Sequence, residues 1–404
     1  MNSASRFARP YPAQPDPAAG RLFEGFRRAD GRVGVRNHLL VLSAGGLTGP
    51  TARRIASAIA GAVVVVLPYS VGLMGQDGVL HRAALQGFAT HPNVGATLLV
   101  GDNPILVRAV VDAVRAAGAT CVGLSMDDCH HDAIALTERG LREAARLAVA
   151  ISGLRREPAD LSCLTIGLEC GRSDPSSGLV ANPLLGRVSD RVVGVGGTSM
   201  IGETLEWLGA EHLLAERART PAIAATIREA VLAREAMAVA AGLDLMGSNP
   251  SPSNIESGLS SIEEKSLGNI AKSGSAPIEG LVGYAERPPQ PGLWVMDAPA
   301  YAPESVTGFV AAGAQLVLFT TGMGNSYVSS LAPTLKVSAN PRTTSSLGEQ
   351  LDFDASAVFQ GRVGEDEAAD ALLARLLDVA SGRSTWGEVL REGDEVLSRF
   401  GQAL

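Results

Sequence analysis

Aromatic side chains are scarce in this chain: 4% of its 404 residues, against 46% hydrophobic overall. Its cores must therefore be built from Ala, Val, Leu and Ile packed on one another. Cysteine is scarcer still, with four residues at 121, 129, 163 and 170 and no C-x-x-C pair. That spacing argues against a zinc ribbon or a dithiol redox motif. With no secretory signal, it predicts reduced thiols in the cytoplasm. No block of Lys or Arg forms a stripe and the formal net charge is -8, which argues against a nucleic-acid partner. Long apolar runs are missing too. The longest aliphatic stretch, AVVVVL at 62–67, is far too short to span a bilayer, so no membrane role is expected.

Glycine and proline are plentiful, at 46 and 22, as a fold with many tight turns requires. The length predicts two domains. A Pro- and Ala-rich start reads as a flexible arm over 1–22. From Asn37, apolar runs of four to six residues (HLLVL, AVVVVL, ATLLVG, TCVGLS) alternate with stretches of helical spacing. This is the signature of parallel strands joined by crossovers. The expected fold is α/β, with open parallel-sheet units forming two Rossmann-like domains. The N-terminal α/β domain is placed at 23–160, and a C-terminal α/β domain with long active-site loops at 161–404. In the latter, DRVVGVGG reads as a strand, IGETLEWLGAEHLLAERA as a helix, and the polar stretch around NPSPSN as a functional loop.

Several places carry candidate chemistry. LECGRSD, 168–174, crowds Glu169, Cys170, Arg172 and Asp174 where a strand at 163–168 should end, and the carboxyl ends of parallel strands are where ligands bind. An ordinary polar turn is the plainer alternative. Thr320 and Thr321 close the strand-like QLVLFTTG and suit carboxylate or polyol oxygens. Ser260 precedes Glu263 at capping-box spacing, so Glu263, Glu264 and Lys265 read either as a solvated first turn or, if Lys265 points inward, as the home of a general base with a lowered pKa. His212 follows Glu211 in a helical segment. Arg36, in DGRVGVRNH, could clamp a carboxylate. MDDCHHD, 126–132, offers metal ligands but reads as a polar helix entry.

Taken in order, GFRRADGRVGVRNHLLVL, HPNVGATLLVG, GLECGRSDPSSGLVANPLLG, GGTSMIGETLEWLGAEHLL, NPSPSN with IEEKSLGNIAKSG, and MDAPAYAPESVTGFVAAGAQLVLFTTG resemble the altronate/galactarate dehydratase family over roughly 24–381. The resemblance implies the catalytic portion, without the small extra domain that some members carry. It implies a hydro-lyase acting on an aldonate or aldarate, by α-proton abstraction and β-elimination to a 2-keto-3-deoxy acid. A related branch removes sulfite from sulfolactate, and a non-catalytic sugar-acid-binding relative stays open as a third reading. The roles implied are Glu169, Cys170 and Asp174 around an ion, and His212, Lys265 and Glu264 in acid–base catalysis. Arg36, Asn182, Asn254, Thr320 and Thr321 are assigned to substrate.

Departures from the family pattern matter. Family cysteines are replaced around Leu47, Leu73 and the Asp102–Asn103–Pro104 turn, Arg172 stands where the motif usually has glycine, and Met323 where it has arginine. Leucine and proline offer no sulfur ligands, so a full iron–sulfur cluster is not expected. A divalent ion, iron or manganese, is the implied cofactor. The implied partner is a small hydroxy acid, with a homo-oligomer or a small accessory subunit left open.

Overall fold

The computed structural model describes residues 20–246 and 249–399. The β-branched run Ala62–Leu67 forms the edge of a four-stranded parallel sheet, followed by His38–Ala44, Val94–Gly101 and Cys121–Ser125. Helices Gly49–Ala58, Gly75–Ala89 and Pro104–Ala116 make the crossovers. The third starts where the sequence dictates: Asn103 accepts from the Ile105 and Leu106 amides, and Pro104, which has no N–H to satisfy, occupies the first turn.

The second sheet has seven strands, all parallel, in the order Ile278–Val282, Gly292–Met296, Thr198–Ile201, Thr165–Cys170, Leu316–Thr320, Thr334–Ser338, Phe353–Asp354. Thr165–Cys170 lies at its centre. The chain winds one way from it to Thr198–Ile201 and later returns to its other side with Leu316–Thr320. That reversal opens a crevice at the strands' carboxyl ends. The two open parallel-sheet units bear out the expected α/β class.

The units are tied together. Strand Leu22–Arg27 pairs antiparallel with both Val33–Gly34 and Glu157–Asp160, so a small third sheet joins the two ends of the first unit. One hydrophobic cluster runs from Leu40, Leu85 and Phe88 of the first unit to Met296, Phe309 and Val310 of the second. Within it, a Cβ at Gly87 would lie 2.1 Å from the Ala311 carbonyl oxygen. Helices Gly75–Ala89 and Ala302–Ala311 approach this closely only because residue 87 has no side chain.

Some local expectations are corrected. DRVVGVGG belongs largely to helix Asn182–Gly194, and the strand starts later, at Thr198. The valines mislead because Leu184, Leu185, Val188 and Val192 are buried at helical spacing, and that burial outweighs β-propensity. The helix expected from Ile201 is broken by left-handed residues at Glu203 and Gly209 into a short 3-10 turn, Thr204–Trp207, and a helix of six residues, Glu211–Glu216. The strand expected at 163–168 runs from Thr165 to Cys170, which puts Glu169 inside the sheet. MDDCHHD is a helix entry, with Asp132 capping Ala133–Ser152. Most of the expected arm, 1–19, lies outside the described residues, and Leu22 already belongs to a strand. Among the described residues, no helix is long and apolar enough to cross a membrane.

Candidate active site

Two neighbouring segments bring acidic groups together where the central strands end. Glu169 and Cys170 finish strand Thr165–Cys170, and Glu203 follows the adjacent Thr198–Ile201. They are 0%, 5% and 2% exposed. Glu203 adopts φ 65°, an uncommon conformation for a non-glycine residue and one concentrated at functional sites. A third element supplies the cations. Helix Ile262–Ala271 is capped by Ser261, and Lys265, Asn269 and Lys272 recur at positions i, i+4 and i+7, so one polar stripe faces the acids.

Lys272 is fully buried. Its Nζ lies 3.1 Å from Glu169 Oε1, 3.4 Å from Cys170 Sγ and 3.3 Å from Glu203 Oε2. Asn269 donates to Glu203 at 3.2 Å and to Glu206 at 2.9 Å, while Trp207 Nε1 holds its carbonyl oxygen at 3.2 Å. Lys265 Nζ lies 2.6 Å from Glu206 Oε1 and also donates to Asn249. A cavity of about 730 Å³ opens onto this floor, reached by Cys170, Glu203, Glu206 and Lys265 and walled in part by Arg172 and Tyr301.

Charge states follow from this packing. Burial pushes the Cys170 thiol up to about 12, so it is held as SH despite Lys272. Burial, and then the Glu169 charge, push Glu203 well above the usual carboxylate range; burial and Glu203 raise Glu206. Burial works against charge on Lys272, but the carboxyl groups packed around it, Glu169 nearest, more than offset it and hold the amine well above its ordinary value. For Lys265, burial is likewise outweighed, chiefly by Glu206. Lys265 does point inward, but it is an ammonium: the expectation of a lowered pKa is corrected because a carboxylate adjoins it.

One oxygen of each of Glu169 and Glu203 and the sulfur of Cys170 lie within 4.8 Å of one another, a group that could hold a metal ion. Two features fit such an ion. Glu169 Oε2 is buried without a hydrogen-bond partner among the described residues, and two carboxylates with one sulfur are a donor set suited to a divalent transition ion. In this arrangement Lys272 supplies the positive charge at that point.

The structure gathers some of the expected residues and disperses others. Glu169, Cys170 and Lys265 share the floor, and Asn254 lines the cavity, donating to the Ser173 carbonyl at 2.9 Å. Asp174 is not among the clustered donors. Its carboxylate accepts from Ser176 Oγ (2.7 Å), Ser177 N (2.9 Å) and Asn340 Nδ2 (2.7 Å), which locks the turn. Arg36 is corrected from substrate clamp to structural tie: Glu388 takes it bidentately at 2.7 and 2.9 Å, and the Val379 and Arg383 carbonyls occupy its other N–H groups. Asn182, Thr320 and Thr321 are buried and lie outside the cavity lining. Thr320 donates to Asn182, Asn182 to the Gly268 carbonyl at 2.7 Å, and Thr321 Oγ1 accepts the Gly324 amide. Glu264 is exposed and accepts from Ser260 N and Oγ at 2.7 Å each, so it secures the helix start. The cap itself is Ser261, one residue later than expected. His212 is exposed on Glu211–Glu216, away from the lining.

Four residues of the floor went unassigned from sequence: Glu203, Glu206, Asn269 and Lys272. The signal for the last two was present, since Lys265, Asn269 and Lys272 mark one helix face.

The far wall comes from the end of the described chain. Glu392, Asp394 and Val396 line the cavity, and the segment continues to the first unit, where the Ser398 carbonyl lies 3.1 Å from His81 Nε2 and Arg399 stacks 4.6 Å over Tyr69. Glu395 anchors it, accepting from Ser329 Oγ, from Ser330 N at 3.0 Å and from Thr307 Oγ1 at 3.1 Å. Burial raises its carboxyl from 4.5 to about 7. The folded state therefore holds this proton more tightly than the unfolded chain does. Its stabilising contribution is fully present below about pH 4.5 and is lost as pH rises through 7, a difference of about 3 kcal/mol. Urea unfolding of wild type and Glu395→Gln at pH 5 and pH 8 checks this: the variant should lose most of that pH dependence.

An α/β protein with buried acids, two ammonium groups and a crevice at the sheet's switch point has the makings of an enzyme for acid–base work on small polar molecules. Comparison with known proteins is specific. Residues 161–403 match D-galactarate/Altronate dehydratase, C-terminal, and 25–152 match D-galactarate dehydratase/Altronate hydrolase, second domain. The chain belongs to the altronate/galactarate dehydratase family. It is 39% identical to the (2R)-sulfolactate sulfo-lyase subunit beta of Chromohalobacter salexigens, over 94% of this chain and 98% of that one. It is 32% identical to the altronate dehydratase of Escherichia coli, over 93% of this chain and 77% of that protein, and 29% identical to the galactarate dehydratase (L-threo-forming) of Escherichia coli, over 94% and 76%.

Proposed function

We propose that this chain is a β-eliminating lyase acting on a small 2-hydroxy acid, converting it to a 2-keto product. The observation that carries the reading is the buried group of Glu169, Glu203, Glu206, Lys265 and Lys272 opening onto the cavity. The proton α to a carboxylate is very weakly acidic, so the charge that builds on the carboxylate oxygens as it leaves must meet a fixed positive group in a dry place. Lys265, at the cavity surface, is such a group.

In this mechanism the Glu206 carboxylate takes the α-proton. Its raised pKa makes it a stronger base than a solvated carboxylate. The electron pair of the broken C–H bond forms the C=C bond and the β-substituent departs. Where that substituent is hydroxyl, the Lys265 ammonium supplies the proton that turns it into water. The enol then becomes the 2-keto acid. Asn249 and Asn254 supply amides for substrate hydroxyls. A divalent ion bound by Glu169, Cys170 and Glu203 would add Lewis-acid stabilisation of the developing charge.

A second leaving group has support of its own. The near-complete mutual coverage with a sulfolactate sulfo-lyase subunit favours sulfite, which leaves with the C–S electron pair and needs no proton from Lys265. We infer further that the chain works beside a second polypeptide, because that relative is named as a subunit.

Incubation with altronate, galactarate and (2R)-sulfolactate in D₂O, with separate assays for 2-keto acid and for sulfite, tests the reading. Keto product should form, and sulfite release would assign the leaving group. Absence of both keto product and deuterium exchange at the α-carbon, with all three acids and with added Fe²⁺ or Mn²⁺, would leave only a binding role.

A further inference from the structure

An anion entering this cavity meets carboxyl groups on several sides, from Glu203, Glu206, Glu392 and Asp394. Two cations line it as well. Lys265 is already paired with Glu206. Arg172 is not paired: its side chain is exposed and makes no hydrogen bond or ion pair among the described residues. Its backbone is nonetheless firmly held, since the Arg172 carbonyl accepts the Gly322 and Met323 amides at 3.2 and 3.3 Å. It also sits at φ 54°, where a Cβ-bearing residue is disfavoured. A fixed, unfavourable backbone thus presents an unpaired guanidinium on the wall of a largely acidic cavity. Strain of this kind clusters at functional sites.

We propose that Arg172 is the residue by which this crevice selects substrates carrying two anionic groups, one carboxylate at the lysine–acid floor and a second carboxylate or a sulfonate at the guanidinium. The proposal rests on the lyase reading for the first carboxylate. Two residues of chain span at most about 7 Å, so Arg172 is rooted within the length of a short acid from Cys170 on the floor. A planar guanidinium pairs bidentately with carboxylate and sulfonate oxygens alike. An acid with one charge gains nothing there.

The test compares wild type with Arg172→Gln, which keeps a polar side chain without the charge, and Arg172→Gly, which also relieves the backbone. Galactarate and sulfolactate carry two anionic groups and altronate carries one. The preference for either dianion over altronate, as a ratio of kcat/KM values, should fall about 10- to 100-fold in both variants. For galactarate the loss should lie in KM, because its second carboxylate is remote from the reacting carbons; for sulfolactate, whose sulfonate is itself the departing group, kcat should fall as well. Galactarate against sulfolactate tells whether carboxylate or sulfonate is the better partner. An unchanged ratio in both variants, or a wild type with no preference for dianions, overturns the proposal. If none of the acids turns over, the lyase reading fails alone, and the same ratio is read from calorimetric dissociation constants. A wild type that binds no dianion more tightly than altronate sinks the Arg172 assignment there too.

Discussion

Lys272→Met should lower the unfolding free energy by about 3–5 kcal/mol and reduce turnover by about 10³-fold or more. Methionine keeps most of the length and the apolar stem, so little packing is lost. What disappears is the positive charge that lies 3.1 to 3.4 Å from Glu169, Cys170 and Glu203. Glu169 is fully buried and one of its oxygens has no hydrogen-bond partner among the described residues. Removing one member of a buried ion pair strands the other, which is why the single change is costly. Adding Glu169→Gln to Lys272→Met should restore stability to within about 1–2 kcal/mol of wild type without restoring turnover. Urea unfolding with activity measured on the same samples separates the two effects. A single variant as stable as wild type would show that the ammonium is not what neutralises the cluster.

The second large effect concerns the pair at the cavity surface. Glu206→Gln should reduce kcat about 10²–10⁴-fold while KM changes little, because the amide keeps the shape and removes only the base. The wild-type profile carries the signature. Burial raises the Glu206 carboxyl above its ordinary 4.5, and only the ionised form accepts the α-proton, so kcat/KM should climb with pH through a midpoint above 4.5. Lys265→Met removes the charge opposite and should lower that activity by a similar factor on hydroxy-acid substrates, but less on sulfolactate, whose leaving group needs no proton. An acid limb unmoved in position and intact in Glu206→Gln would assign the base to another residue.

The layout of the fold was legible because strands such as His38–Ala44 and Leu316–Thr320 are nearly continuous apolar runs, as parallel strands covered on both faces are. Part of the floor was legible as well: Glu169 and Cys170 crowd polar groups onto the end of such a run, and Lys265 lies in a capped helix start. The rest depends on contacts that no local pattern encodes. Arg36 looks like a substrate clamp until Glu388, 352 residues away, is seen to occupy it. Thr320 and Asn182, 138 residues apart, satisfy each other inside the sheet layer. Glu203 was hidden for the opposite reason, because a helical reading of its segment gave no cause to expect a left-handed residue or an inward carboxylate. The Lys265–Asn269–Lys272 stripe was readable, but its meaning required knowing that acids lie opposite.

The wall formed by Glu392, Asp394 and Val396 has a consequence for biosynthesis. Chains leave the ribosome from their first residue onward, and early units begin to fold while later ones are still being made. Both sheets can be threaded before this segment emerges, yet the crevice stays open on one side until it docks. Its continuation onto Tyr69 and His81 means that a nascent polypeptide acquires its finished pocket only after residues 392–399 have left the ribosome and docked on the first unit.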